Sequence, residues 1–194
     1  MNAKRLRIFQ VLSEALIPLL GYFLWEWSLY FILLFYVLDL LTDYFVSIVK
    51  SKKITQQQGG NIAKNISVGG LLLILCIAFF HIATLLVHPE INFKAEVLDF
   101  WTYEDMGIQQ GYLLIPLVLF ASYQRYKMDF LMRGEDRKMK LSTLWNSKNR
   151  AYLIIIAFSG LVAGLSQLIS FNDAIYIMAI VFFSSIYQLF FGSR

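Results

Sequence analysis

Hydrophobic residues along this chain are gathered into six long runs, which are separated by shorter stretches rich in polar residues. A helix needs about 20 predominantly apolar residues to cross ~30 Å of lipid hydrocarbon. The pattern therefore predicts six transmembrane helices, at approximately residues 8–25, 29–49, 66–87, 111–132, 151–170 and 174–191. We expect an all-α fold, a polytopic membrane helix bundle that forms a single transmembrane domain over residues 1–194.

Positive charge follows this pattern and predicts the orientation of the bundle. All but one of the 17 lysines and arginines fall on the same side of the six predicted spans, and the exception is Lys94. Cationic side chains near span ends are retained on the cytoplasmic side of a membrane. We therefore expect both termini and a basic loop at 133–150 inside, an N-in/C-in topology, and an acidic loop at 88–110 outside.

The fourth predicted span is the least regular of the six. Only residues 112–123 are cleanly apolar, which is short for a crossing and leaves two alternatives. A re-entrant loop would leave the basic stretch 125–150 on the outer side, against the distribution of charge. Extending the helix to about Met132 keeps that stretch inside and places Arg125 in the inner half of the membrane or at its border.

Four ionisable residues fall within the predicted spans: Glu14, Asp39, Asp43 and Arg125. Charge is costly there and usually faces the interior of a bundle. Asp39 and Asp43 share one helix face, where two carboxylates repel each other unless a proton or a cation intervenes. Counting the helical rise from the span ends predicts an inner-half cluster of Glu14, Asp43 and Arg125, and Asp39 is expected nearer the midplane. Such a cluster either sets helix register or forms a path for an ion, a proton or a ligand.

The fifth predicted span contains a motif that favours close helix packing. Gly160 and Gly164 form a GxxxG pattern, and small residues at this spacing let two helix backbones approach each other. We expect this face to pack on another helix, which belongs either to the same chain or to a second copy.

Composition and charge narrow the classes of function. The chain is 58% hydrophobic and 15% charged, whereas about a quarter of a soluble domain is charged. Its net charge of +4 fits loops beside anionic lipid headgroups, so we expect no nucleic-acid partner. The single cysteine, Cys76, permits no intramolecular disulfide, and His81 and His88 have no third ligand at helical spacing. Neither a metal nor a cofactor is expected.

Short motifs give the chain a family resemblance. They are, in order, Pro18-Leu19-Leu20-Gly21, Trp27, Tyr36, Asp39, Ser122, Gly134-Glu135 and Arg150. This order resembles an uncharacterised prokaryotic family of six-span integral membrane proteins, known only as a domain of unknown function. That family favours His where Tyr123 stands and Glu-Asn where Asp39-Leu40 stand. The resemblance implies the prokaryotic inner membrane and gives Asp39 added weight, but it implies no activity.

No constellation of catalytic residues is recognisable in the sequence, so an enzyme is the less favoured class. We expect a non-catalytic subunit or scaffold of a membrane complex, with the lipid bilayer and a protein partner or a second copy as its partners. The paired carboxylates keep open an alternative, a small cation- or proton-coupled transporter or channel. A second alternative is a lipid-modifying enzyme whose basic stretch 125–150 binds a phosphate headgroup.

Overall fold

The computed structural model of the chain describes residues 3–102, 104–105, 108–169 and 171–191, and describes side chains for residues 11–12, 15–102, 111–169 and 171–187. Its described helices are α1 (Ala3–Leu24), α2 (Leu29–Gln58), α3 (Ala63–Val87), α4 (Phe93–Thr102), α5 (Gln110–Arg125), α6 (Glu135–Lys138), α7 (Leu141–Ser166) and α8 (Asp173–Phe191). A π-helical segment, Tyr126–Leu131, continues α5 without a break. Two short strands, β1 (Glu104–Asp105) and β2 (Ile108–Gln109), pair antiparallel.

Three of the described helices are long and apolar enough to cross a membrane: α2, α3 and α7. Two further apolar stretches, Ala15–Leu24 in α1 and Asp173–Tyr187 in α8, are shorter. The prediction of an all-α fold is confirmed, and the three long helices indicate a membrane protein.

The central helix of the bundle is α2, which contacts α1, α3, α5, α7 and α8. It begins where the side chain of Ser28 accepts a hydrogen bond of 3.0 Å from the backbone N–H of Phe31. It ends at Gly59, whose φ of 75° favours a residue without a Cβ atom. The helix continues beyond the predicted boundary at residue 49 because Ile54, in the added turns, is fully buried.

The stretch predicted as a basic loop, 133–150, is largely helical. It contains α6, and α7 begins at Leu141 rather than at residue 151. The reason is Trp145, which is buried and donates a hydrogen bond of 2.8 Å from its indole N–H to Ser51 Oγ. Burial of this large ring against α2 stabilises the first turns of α7. The charged residues around these turns are the reason that the sequence pattern predicts a loop there.

The stretch predicted as an acidic loop, 88–110, contains α4. Phe100 on this helix is buried, and its ring lies 4.7 Å from that of Phe31 on α2. Its carbonyl group is packed against the start of α5, where a Cβ atom at Gly111 would lie 1.8 Å from the Phe100 oxygen. The absence of a side chain at Gly111 therefore lets α4 and α5 meet.

The remaining helices pack in two separate pairs. α3 packs chiefly on α7, because Gly69 leaves room for the ring of Trp145, which would lie 2.2 Å from a Cβ atom at that position. α8 packs chiefly on α1. α7 and α8 follow each other in the chain but lie against different neighbours, and a cavity occupies the space between them.

Candidate functional site

The cavity has a volume of about 290 Å³ and lies between α2, α3, α5, α7 and α8. Small-molecule sites in proteins span ~300–1,000 Å³, so this cavity is near the lower end of that range. One end, termed the apolar end, includes Leu29, Val87 and Tyr176. The other, termed the charged end, has three carboxylates and three cations in its lining: Asp39, Asp43, Asp129, Lys50, Arg125 and Lys148.

Two ion pairs cross the charged end. Arg125 Nη2 donates to Asp39 Oδ1 at 3.0 Å, and the same nitrogen lies 3.3 Å from Ser122 Oγ. The Lys148 ammonium group pairs with the Asp43 carboxylate. The four charged side chains are between 21% and 30% exposed, so they are shielded but accessible from the cavity. Each pair neutralises one of the two carboxylates and so relieves the repulsion between them.

The structure brings three of the four predicted ionisable residues to this cavity, but with different partners. Arg125 hydrogen-bonds to Asp39, and the partner of Asp43 is Lys148 from α7. Counting helical rise gives depth along each helix but does not tell which helices are neighbours. The side chain of the fourth residue, Glu14, lies outside the described part of the structure.

Lys148 and Lys50 line the cavity, and sequence reasoning missed both because they lie beyond the predicted span boundaries. Lys50 follows Asp43 by two helical turns on the same face of α2, a spacing that was visible in the sequence. Lys50 makes no ion pair with any carboxylate whose side chain the structure describes. Its ammonium group lies 5.6 Å from the centroid of the Phe130 ring, a cation–π contact that compensates part of the charge.

At the apolar end, polar side chains connect neighbouring helices. The hydroxyl of Tyr30 on α2 is hydrogen-bonded to His81 Nε2 on α3 at 2.8 Å. His88 Nε2, at the end of α3, lies 2.9 Å from Asp173 Oδ1 at the start of α8. Both histidines therefore have partners within the fold. Among the side chains that the structure describes, no three histidines, cysteines or carboxylates gather as they would around a metal.

A pair of aromatic rings crosses the space between α7 and α8. Phe158 and Phe183 stack with their centroids 3.9 Å apart and their planes within 3° of parallel. Both rings line the cavity and are partly exposed. Because α7 packs chiefly on α3 and α8 chiefly on α1, this ring stack is a contact that bridges α7 and α8 at the cavity wall.

The predicted packing face of α7 points away from this cavity. A Cβ atom added at Gly160 or Gly164 would meet no described atom within 4 Å. Ala157 and Leu161 beside them are exposed as well. Within the described part of the chain, this face has no helix packed on it.

The fold is all-α, with three helices long and apolar enough to cross a membrane and a cavity between its helices, and these features indicate a membrane protein. No protein family, curated protein or solved structure matches this chain. The resemblance to the uncharacterised prokaryotic family stays a prediction.

Proposed function

We propose that this protein is a small membrane transporter whose substrate binds in the central cavity. One observation supports this most directly: the cavity carries two cross-helix ion pairs and the additional cation Lys50 inside a membrane-spanning bundle. Ionisable groups at such depth are expensive, and in helical membrane proteins they commonly mark substrate or ion pathways. A purely structural bundle would be served equally well by apolar contacts at these positions.

Within this proposal the protein crosses the prokaryotic inner membrane six times, with the charged end of the cavity toward the cytoplasm. The distribution of lysines and arginines supports this orientation. The uninterrupted helical path from Gln110 to Leu131 supports a crossing by the fourth predicted segment rather than a re-entrant loop. Rotation of α7 or α8 against α2 would then exchange access to the cavity between the two sides.

A transporter must change which contacts hold its helices together, and the two ion pairs are contacts that a substrate could change. A charged substrate at the cavity competes with Asp39 or Lys148 for its partner, because opposite charges interact strongly where little water screens them. Binding would therefore loosen contacts of α2 with α5 and α7 while the hydrogen bonds of His81 and His88 still hold the apolar end. Opening of one end is thereby linked to occupancy of the site.

Cysteine accessibility in sealed vesicles tests the proposal. Cys76 is the single cysteine, so a Cys76→Ser background allows Ser184→Cys, on the cavity wall, to be probed alone with a membrane-impermeant thiol reagent. We expect labelling from each side of the membrane in turn, while Ala157→Cys on the exposed face of α7 stays unlabelled. If Ser184→Cys reacts from neither side or from one side only, the protein does not alternate and the transport proposal is wrong.

A second candidate function is a scaffold or subunit that works by packing on a protein partner or on another copy. The open face around Gly160 and Gly164 favours it, because small residues with no described neighbour leave room for a second helix. The same accessibility experiment separates the two functions, since a scaffold has no need for a cavity that is reached from both sides.

A further inference from the structure

The cavity is elongated and its polarity changes along its length. Its α2 wall runs from Leu29 to Lys50, which at about 1.5 Å per residue is roughly 31 Å of helix. Leu29 and Leu33 line the apolar end of this wall, and Asp43 and Lys50 line the charged end. A molecule that matches such a surface has one polar head and one apolar tail.

The charge of the head follows from the cations at the charged end. Asp39 and Asp43 are each matched by one cation, Arg125 and Lys148. Lys50 is additional, and its described close partner is the ring of Phe130, which attracts the ammonium group but does not neutralise it. The third carboxylate of the described lining, Asp129, pairs with Arg133 at 3.0 Å, so Lys50 has no ion-pair partner among the side chains that the structure describes. A partly buried cation of this kind favours an anionic head, which would form charge-assisted hydrogen bonds to it.

The aromatic stack indicates how the tail reaches the cavity. Phe158 and Phe183 form the wall between α7 and α8, and exposed apolar residues such as Leu161 and Phe182 lie next to them. An amphiphile dissolved in the bilayer meets this apolar surface directly. Rotation of two partly exposed rings would open the wall without moving either helix backbone, whereas the hydrogen-bonded apolar end is a less direct route.

We propose that the cavity binds a single-chain amphiphile with an anionic head, and that the head lies at Lys50 while the chain extends past Phe158 toward the apolar end. This inference rests on the proposed function and names its substrate class. The volume of about 290 Å³, near the lower end for small-molecule sites, is too small for a two-chain lipid. The head is a carboxylate or a phosphate, as in a fatty acid or a lysophospholipid.

The test measures binding of a spin-labelled stearic acid to the purified full-length protein, and pairs Lys50→Gln with Lys53→Gln. Both variants remove one positive charge from the same end of α2, but Lys53 is exposed and does not line the cavity. We expect about tenfold weaker binding in Lys50→Gln, as for the loss of one charge-assisted hydrogen bond, and unchanged binding in Lys53→Gln. The methyl ester of the same probe has no charge. It should bind the wild-type protein about tenfold more weakly than the acid does, and neither substitution should change its affinity.

A second pair of variants tests the tail. Ala83→Trp fills the apolar part of the cavity and should abolish stearate binding, while Ala157→Trp, on the exposed face of α7, should not. Competition by unlabelled oleate and by a lysophosphatidic acid then distinguishes a carboxylate from a phosphate head. The inference is overturned if the wild-type protein does not immobilise the probe, or if the acid and the ester bind with equal affinity. It is also overturned if Lys50→Gln and Lys53→Gln bind the acid with equal affinity.

The outcomes separate this inference from the proposed function. Access to Ser184→Cys from both sides without stearate binding would leave a transporter of another substrate. Stearate binding without access from both sides would leave a binding protein for the amphiphile that does not transport it.

Discussion

Asp39 and Asp43 each form an ion pair with one cation, and the two cations come from different helices. Arg125 reaches Asp39 from α5, and Lys148 reaches Asp43 from α7, so the two pairs join three helices at one level of the bundle. The attraction within each pair is offset by the loss of hydration of both ions. Removing one partner is therefore more damaging than removing both, because it leaves the other charge desolvated and unmatched.

We expect Lys148→Met to destabilise the protein by roughly 1–3 kcal/mol, less than the ~3–5 kcal/mol typical of a fully buried pair because these side chains keep some contact with solvent. Adding Asp43→Asn should restore much of the loss, because the unmatched carboxylate is then absent. Thermal unfolding in detergent measures both variants, with the exposed Lys138→Met as the control. Strictly additive effects of Lys148→Met and Asp43→Asn would show that the two side chains do not interact.

At the scale of elements, glycines on α3 and α7 have opposite roles. Gly69 on α3 receives the ring of Trp145, which leaves no space for a side chain there. Gly160 on α7 faces open space. A methyl group added at Gly69 would therefore clash with a neighbouring ring, whereas one added at Gly160 would not. The sequence around the two glycines does not reveal this difference.

Gly69→Ala is expected to lower stability by about 1–3 kcal/mol, because Trp145 must leave its position and its hydrogen bond to Ser51 is then lost. Gly160→Ala should be neutral or slightly stabilising, since alanine is the better helix former by about 1 kcal/mol and meets no atom. Unfolding of the two variants under the same detergent conditions makes the comparison. Equal losses of stability would contradict the packing of α3 on α7 through Gly69.

The elements themselves were largely predictable because long apolar runs separated by polar stretches carry a strong signal. Their ends were not, since burial of single residues such as Ile54 and Trp145 extends α2 and α7 into stretches rich in charge. The polar residues of the site were conspicuous in apolar surroundings, as Asp39 and Asp43 show. Their partners depend on which helices are neighbours, and the periodicity of one chain contains no information on that.

At the scale of the whole molecule, the ends of three elements meet on one side of the bundle. The side-chain amide of Gln58, at the end of α2, donates to the backbone carbonyl groups of Arg137 and Met139 at 3.3 and 3.1 Å. Gln57 donates to Asp136 at 2.9 Å. These bonds tie the end of α2 to the segment that precedes α7, so both must lie on the same side of a membrane.

Single cysteines in the Cys76→Ser background locate that side. We expect Asn61→Cys and Lys138→Cys to react with an impermeant reagent from the cytoplasmic side, and Glu90→Cys, at the other end of α3, from the opposite side. All three positions are exposed in the fold. Labelling of Asn61→Cys and Lys138→Cys on opposite sides would contradict the fold itself, whereas reversal of all three would contradict only the proposed orientation.

The ion pairs also constrain how the protein is made. Arg125 and Lys148 follow their carboxylate partners by 86 and 105 residues, so α2 leaves the ribosome long before either cation has been synthesised. Inserting an unmatched aspartate at the centre of a helix costs roughly 2.5–3.5 kcal/mol. We therefore expect the nascent α2 to keep its aspartates protonated or away from the lipid until α5 has supplied Arg125 and α7 has supplied Lys148. A chain interrupted before α5 would leave both aspartates without their partners, and one interrupted between α5 and α7 would still leave Asp43 without Lys148.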